Sequence, residues 1–124
     1  MAHMPIVLIV DDDSAIRKML AEMLSLEGVP FETASNGREA LNALAHGEPR
    51  VVLLDLLMPV LDGRGVMHEL NTSPDDRAKH KIVLVSALHN LETARDLQAD
   101  GMLPKPFTLP QLLSVLEAVG AKVH

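Results

Sequence analysis

Residues 51–55 read VVLLD: four consecutive apolar residues followed by a carboxylate. This pattern is typical of a strand that is buried on both faces and ends in an acid, here Asp55. Residues 5–10, PIVLIV, repeat the pattern and lead into three aspartates at 11–13. In open α/β sheets ligands bind at the carboxyl edge of the strands. The carboxylates that follow these two strands therefore predict a chemical site.

The length and charge of the chain limit its organisation. The chain has 124 residues and a net charge of −6 at pH 7. This length predicts one domain, which should bury roughly two-thirds of the surface of the unfolded chain. We expect the domain to run from Met4 to His124, because residues 1–3 look like an expression-tag remnant.

The composition excludes several classes of protein. Aromatic residues make up 2% of the chain, namely Phe31 and Phe107, and there is no Tyr, Trp or Cys. Stacking on single-stranded nucleic acid, disulfides and thiolate metal sites are therefore not expected, and the negative charge argues against direct binding of nucleic acid. No apolar run approaches the roughly 18 residues of a membrane span, and no signal peptide is recognisable. We expect no membrane partner and a cytoplasmic location.

Hydrophobic patterns predict five strands that alternate with five helices, which implies a parallel sheet with helices on both faces. We predict a doubly wound α/β sheet in the order 2-1-3-4-5. The first helix should bury a stripe of residues at helical spacing, and Asp13 or Ser14 and Thr108 should cap the first and last helices. Residues 71–76 are predicted to form a loop, and 91–97 a mobile helix with a thin apolar pattern. The predicted strands are 5–10, 31–34, 51–55, 81–85 and 101–104, and the stripe is Ile16, Met19, Leu20, Met23 and Leu24.

Polar side chains follow four of the five predicted strands, namely Asp11 and Asp12, Asp55, Ser86 and Lys105. Because strands one, three and four should be neighbours, we expect these groups to converge. Three close carboxylates raise one another's pKa unless a cation lies among them, and a hard divalent ion such as Mg²⁺ suits oxygen ligands. A carboxylate beside Mg²⁺, a lysine and a hydroxyl can accept a phosphoryl group.

On these motifs the chain resembles the receiver domain of bacterial two-component response regulators, similar in size to the single-domain chemotaxis regulator. The resemblance covers residues 4–119, and the fold it implies is flavodoxin-like. The matching motifs are the acidic pair after strand one, LLDLLMP at 53–59 with Asp62-Gly63 behind it, Ser86-Ala87, and Lys105-Pro106-Phe107.

The resemblance implies a role for each site residue. Asp55 would be the phosphoacceptor, Asp12 and Asp55 would bind Mg²⁺ directly, and Asp11 would bind it through water. The backbone carbonyl of Leu57 would complete the protein ligands. Ser86 would hydrogen-bond the phosphoryl oxygens, and Lys105 would pair with Asp55 and then with the phosphoryl group. The resemblance also implies a cis bond between Lys105 and Pro106.

The implied function is a phosphorylation switch and not an enzyme, beyond accepting its own phosphoryl group and losing it slowly. The donor would be a histidine kinase or a histidine phosphotransfer protein. The output, a downstream protein or domain, would bind the face formed by the fourth predicted helix, the fifth strand and the fifth helix, including Arg95, Met102 and Gln111.

This chain departs from the family pattern at two places. Relatives often carry an aromatic residue on the fifth strand, whose rotamer reports phosphorylation, whereas this chain has Met102. Leu57 and Leu88 lie two residues after Asp55 and Ser86, where many relatives have polar side chains. Our hypothesis is that both leucines restrict attacking water and lengthen the phosphorylated lifetime.

Three alternatives to a phosphorylation switch stay open. The first is a pseudo-receiver that binds a partner without phosphorylation, which the presence of Met102 allows. An aspartate-nucleophile phosphatase usually has an acid where this chain has Leu57, and a flavin carrier would need a phosphate loop after strand one.

Other conspicuous residues favour structural roles. Asp13 suits helix capping, and Met19 and Met23 suit the core. The six histidines show no paired ligand spacing and are predicted to lie on the surface, with His89 close enough to the site to affect access.

Overall fold

The computed structural model describes residues 5–121, in which five strands alternate with helices. The predicted tag remnant, residues 1–3, and the predicted domain ends, Met4 and 122–124, lie outside this range. The strands are β1 (Ile6–Val10), β2 (Phe31–Ala34), β3 (Arg50–Asp55), β4 (Lys81–Ala87) and β5 (Gly101–Lys105). The helices are α1 (Ser14–Leu26), α2 (Gly37–Leu44), α3 (Gly63–Asn71), α4 (Pro74–Lys79), α5 (Leu88–Glu92) and α6 (Leu109–Ala118), with a 3₁₀ helix at Arg95–Leu97.

The strands form one sheet in the order β2-β1-β3-β4-β5, and every pairing is parallel. The predicted doubly wound, flavodoxin-like architecture is therefore confirmed. All six residues of β3 are buried, as the apolar run at 51–54 indicated. The order places β1 and β4 on either side of β3, so the residues that follow these three strands lie side by side at one edge of the sheet.

Side chains of alternate strand residues fill two separate cores, because successive residues of a strand point to opposite faces. On one face α1 and α6 cover the sheet, and the core there includes Val7, Ile9, Leu20, Leu24, Val51, Leu53, Val83, Val85, Leu112 and Leu116. On the other face α2, α3 and α5 cover it, and that core includes Leu8, Val10, Leu44, Val52, Leu54, Val66, Met67, Ile82, Leu84 and Leu91. Among the described helices, none combines the length and apolar character needed to cross a membrane.

Polar side chains cap four of the helices. Asp13 accepts hydrogen bonds from two N–H groups of α1, and Thr108 forms a capping box with Gln111 at α6, as predicted. Asn36 and Asp62 cap α2 and α3 in the same way. These caps determine where the chain leaves each loop after a strand.

Two segments differ from the prediction. The prediction of a loop at residues 71–76 is wrong for its second half. Pro74 starts the short helix α4 there, with Asp75 and Asp76 in its first turn. The helix expected at 91–97 begins earlier, as α5 at Leu88, and its last residues form the 3₁₀ helix. Both differences arise in segments too short for a periodic apolar pattern to develop.

Met19 is 38% exposed, so its assignment to the core is wrong. The centre of the apolar stripe of α1 is occupied by Leu20 and Leu24, both buried, whereas Met19 lies at the rim beside Ile16 and Phe107. Met23 is half-buried and packs against the core as predicted.

His80 is buried, which contradicts the surface position predicted for it. Its Nδ1 accepts a hydrogen bond from the Arg50 N–H (3.0 Å), so its Nε2 carries the proton and donates to the Leu44 carbonyl (3.3 Å). Burial, with Lys79 and Arg50 nearby, lowers the pKa of His80 below its usual 6.5 and outweighs the opposing effect of the Leu44 carbonyl. Three other histidines, His46, His68 and His89, are exposed as predicted.

His80 should make the protein less stable in mild acid. Because the unfolded chain takes up this proton at a pH where folded His80 stays neutral, the contribution of His80 to the free energy of unfolding should fall below a pH near 6.5. Relative to His80→Gln, wild type should therefore lose on the order of 1 kcal/mol per pH unit. Urea unfolding between about pH 7.5 and about pH 5 measures it. The exposed His68→Gln is the control, and parallel curves for wild type and His80→Gln would contradict the expectation.

Candidate functional site

Three carboxylates meet at the carboxyl edge of the sheet. Val10 of β1 is paired with Leu54 of β3, so Asp11 and Asp55 are the next residues of two neighbouring strands. Oxygen atoms of Asp11, Asp12 and Asp55 all lie within 4.8 Å of one another. Asp11 and Asp55 are buried and Asp12 is exposed. The predicted convergence of the three acids is therefore present in the structure.

Lys105, at the end of β5, supplies positive charge to this cluster. Its Nζ lies 3.0 Å from Asp11 Oδ2 and 3.7 Å from Asp55 Oδ2. β4 separates β5 from β3, so the long lysine side chain spans the width of a strand to reach the acids. The bond between Lys105 and Pro106 is cis, as the resemblance implied.

Ser86 ends the row of site residues, near the end of β4. Its side chain is buried, and its Oγ accepts a hydrogen bond from Asn90 Nδ2 at 3.4 Å. Asn90 lies in α5, one turn after Ser86, and was not among the predicted site residues. A polar residue four positions after a strand-end serine is the sequence signal that points to it.

The turn that carries Asp11 and Asp12 is held by hydrogen bonds. Asp11 Oδ1 accepts from the Asp13 N–H (2.9 Å), and Arg17 Nη1 donates to the Asp11 carbonyl (2.7 Å). Arg17 was also missed from the sequence. Helical side chains tilt toward the helix N-terminus, so an arginine in the first turns of α1 can reach back to this loop.

The loop after β3 passes close to Asp55. A Cβ atom added at Gly63 would lie 2.5 Å from the Asp55 carbonyl oxygen, so glycine permits this approach. The Leu57 N–H lies 3.4 Å from Asp55 Oδ1. Leu57 and Leu88 are 62% and 58% exposed. Val60, in the same loop as Leu57, is also mostly exposed. The loops beside the site therefore present apolar side chains to solvent.

Burial and the neighbouring charge of Asp11 raise the pKa of Asp55 from 3.8 to about 6, against the opposing effects of Lys105 and the Leu57 N–H. The donor set consists of carboxylate oxygens, which fits a hard cation such as Mg²⁺ better than zinc. A divalent cation among these acids would remove the repulsion that raises the pKa.

In metal-free buffer near pH 7, Asp55→Asn should raise the free energy of unfolding by on the order of 1 to 3 kcal/mol. Because the pKa of Asp55 is higher in the folded state, its charged carboxylate destabilises the fold. This destabilisation is absent below pH 3.8, the usual pKa, and complete above about pH 6. Wild type and variant should therefore converge near pH 4.

Urea unfolding at both pH values measures this difference, with Glu22→Gln, an exposed position on α1, as the control. A variant less stable than wild type at neutral pH would show that the acid cluster does not destabilise the fold.

The fold and the site together define a receiver domain. The family model described as response regulator receiver domain matches residues 7–117, and the chain belongs to this family. It is 39% identical over 117 residues to the response regulator MprA of Mycolicibacterium vanbaalenii, covering 94% of this chain and 51% of that protein. MprA of Mycobacterium avium is 37% identical over 113 residues, covering 91% of this chain and 50% of the relative. The chain thus spans about half the length of these curated relatives.

Solved structures agree with this assignment. The chemotaxis protein CheY4 of Vibrio cholerae superposes with a TM-score of 0.82 at 30% identity, covering 94% of this chain and 99% of that one. The response regulator TrrA of Thermotoga maritima, solved in complex with Mg²⁺ and BeF, gives a TM-score of 0.81 at 32% identity, with the same two coverages, 94% and 99%.

Proposed function

We propose that Asp55 accepts a phosphoryl group from a phosphohistidine donor and that this switches the partner binding of the domain. The observation that carries the proposal is the buried Asp55 carboxylate with Lys105 at 3.7 Å and two further acids beside it. A carboxylate nucleophile, a lysine ammonium group and the carboxylates that could bind a metal ion therefore lie together at the carboxyl edge of the sheet. The domain would act on no other substrate, so it would be a switch and not an enzyme.

The chemistry follows from the charges. With a pKa of about 6, Asp55 is largely ionised at neutral pH and needs no separate base. Its oxygen forms a bond to phosphorus as the P–N bond of the donor histidine breaks, and the electron pair of that bond returns to the imidazole nitrogen. Lys105 and the Ser86 hydroxyl can then bind the equatorial oxygens, where negative charge accumulates.

We propose Mg²⁺ as the cofactor. Asp11, Asp12, Asp55 and the backbone carbonyl of Leu57 would hold it, with Asp11 acting through water. When bound, the ion neutralises phosphoryl oxygens and the crowded carboxylates.

The proposed donor is a histidine kinase or a histidine phosphotransfer protein. Because such donors obtain their phosphoryl group from ATP, we propose a cytoplasmic location. The output surface would be the face formed by α5, the 3₁₀ helix, β5 and α6. Arg95 and Gln111 are exposed on this face, and Met102 lines a groove between β5 and α6. A downstream protein or an output domain would bind there.

Acetyl phosphate or phosphoramidate with Mg²⁺ should add one labile phosphoryl group to the protein. Intact mass spectrometry follows the gain, which should disappear without Mg²⁺ and in Asp55→Asn. Asp13→Asn is the matched control, because Asp13 is assigned to helix capping and should leave the gain in place. A folded wild-type protein that gains no phosphoryl group would refute the proposal and favour the pseudo-receiver.

Leu57 and Leu88 should lengthen the phosphorylated lifetime, because their apolar side chains keep water from being oriented toward the phosphoryl group. Replacing both with Asn should speed dephosphorylation by roughly tenfold, equivalent to about 1.4 kcal/mol of barrier. Loss of the phosphoryl mass after removal of the donor gives the rate. Val60→Asn changes an exposed apolar residue of the same loop and should leave the rate unchanged. Equal rates in wild type and the double variant would disprove the effect.

A further inference from the structure

Arg64 joins the helix after the phosphoacceptor strand to the segment after β4. Its Nη2 donates to the Thr93 carbonyl (2.7 Å) and to Thr93 Oγ1 (2.8 Å), and its Nη1 lies 3.9 Å from Asp96 Oδ1. Thr93 is the C-cap of α5, and Asp96 lies in the 3₁₀ helix. Hydrogen bonds from a charged donor are stronger than neutral ones, so this contact can hold the end of α5 against α3.

The contact continues from Thr93 to the phosphoryl-binding serine. Thr93 Oγ1 donates to the Asn90 carbonyl (2.8 Å), and Asn90 Nδ2 donates to Ser86 Oγ (3.4 Å). An unbroken run of polar contacts therefore joins Arg64, Thr93, Asn90 and Ser86. We call these four residues the polar latch. Because Ser86 accepts from Asn90, its own hydroxyl proton stays available for a phosphoryl oxygen.

The Arg64 end of the latch is fixed to the phosphoacceptor strand. The neighbouring Gly63 donates its N–H to the Leu56 carbonyl at 3.0 Å, and its close approach to the Asp55 carbonyl leaves no room for a side chain. Arg64 therefore moves with β3, whereas Ser86 and Asn90 move with β4 and α5. The polar latch spans the two strand ends between which a phosphoryl group would bind.

The Thr93 end of the latch leads to the output surface. Thr93 is followed by the fully buried Ala94, and Leu97 packs against the same core as Met102 of β5. α5 is only five residues long and has no side-chain N-cap, so its own hydrogen bonds do little to fix its position. A shift at Thr93 would therefore be passed to residues 93–97 and β5.

We propose that the polar latch couples the phosphoryl site to the output surface in this chain, with Asn90 as a positioning residue for Ser86. This inference rests on the proposed function. Drawing Ser86 toward a phosphoryl group on Asp55 moves Asn90 and Thr93 relative to Arg64, and the segment 93–97 follows. The coupling needs no aromatic side chain at Met102.

Amide hydrogen exchange, read by mass spectrometry on the full chain with and without Mg²⁺ and beryllofluoride, tests the polar latch. In wild type, beryllofluoride should change exchange at residues 55–60 and at 93–98. In Arg64→Ala, exchange at 93–98 without ligand should be about tenfold faster than in wild type. Beryllofluoride should no longer change exchange at 93–98 in this variant, but it should still change exchange at 55–60. In Asn90→Ala, basal exchange at 93–98 should stay as in wild type and the response should be lost.

Arg38→Ala is the matched control. Arg38 makes a comparable exposed ion pair, with Glu69 at 3.2 Å, but it links α2 to α3 and contacts no residue of the latch. It should behave as wild type.

Arg64→Ala and Asn90→Ala proteins that respond as wild type would overturn the latch. A wild type without any response at 55–60 would instead contradict the proposed function. In that case the exchange without ligand still tests the contact made by Arg64. If residues 93–98 exchange equally fast in Arg64→Ala and in wild type, Arg64 does not hold this segment.

Discussion

Strand β3 is buried along its whole length, and this burial governs the rest of the architecture. A strand with apolar side chains on both faces needs a neighbour on each edge and helices on each side. β1 and β4 occupy the edges, and the two cores cover the faces. Because all three strands run parallel, their carboxyl ends coincide. Asp55 is thereby placed beside Asp11 and near Ser86 by the packing of apolar residues that take no part in the chemistry.

The site is electrostatically unfavourable to the fold that carries it. Two buried acids and a third exposed acid lie together, and one lysine partly compensates them. Burial, together with the repulsion from Asp11, raises the pKa of Asp55, and a cation bound among these acids would be attracted by the same charges. Crowded carboxylates that disfavour folding in the absence of metal are the same groups that make cation binding and phosphoryl acceptance feasible. Stability and function are therefore opposed at this edge of the sheet.

Besides Arg17 at the site, arginine side chains satisfy backbone carbonyls at three further places in the described part of the chain. At the opposite edge, Arg50 is buried between Glu32 and the carbonyls of His46 and Glu48, beside the neutral His80. Arg77 holds the chain before β5 through the Gln98 carbonyl and Asp100. Arg64 does the same for the end of α5. α4 buries none of its residues and α5 buries only Leu91, so the planar guanidinium groups of Arg77 and Arg64, each with several donors, help to position these two segments.

Much of this protein follows from local sequence patterns. Apolar runs and helical stripes were enough to predict the five strands, their order and the convergence of Asp11, Asp12, Asp55, Ser86 and Lys105, because strand burial and parallel topology leave few arrangements. The sequence did not reveal the roles of Arg17, Asn90 and Arg64, the burial of His80 or the exposure of Met19. Arg64 and His80 contact residues 29 and 30 positions away in the chain, and the exposure of Met19 reflects a small rotation of α1 about its axis. The contacts of Arg17 and Asn90 are local, but they depend on how the chain turns from a strand into the next helix. Periodicity determines which face of an element is apolar, whereas only the packed tertiary structure decides which polar side chains meet at its ends.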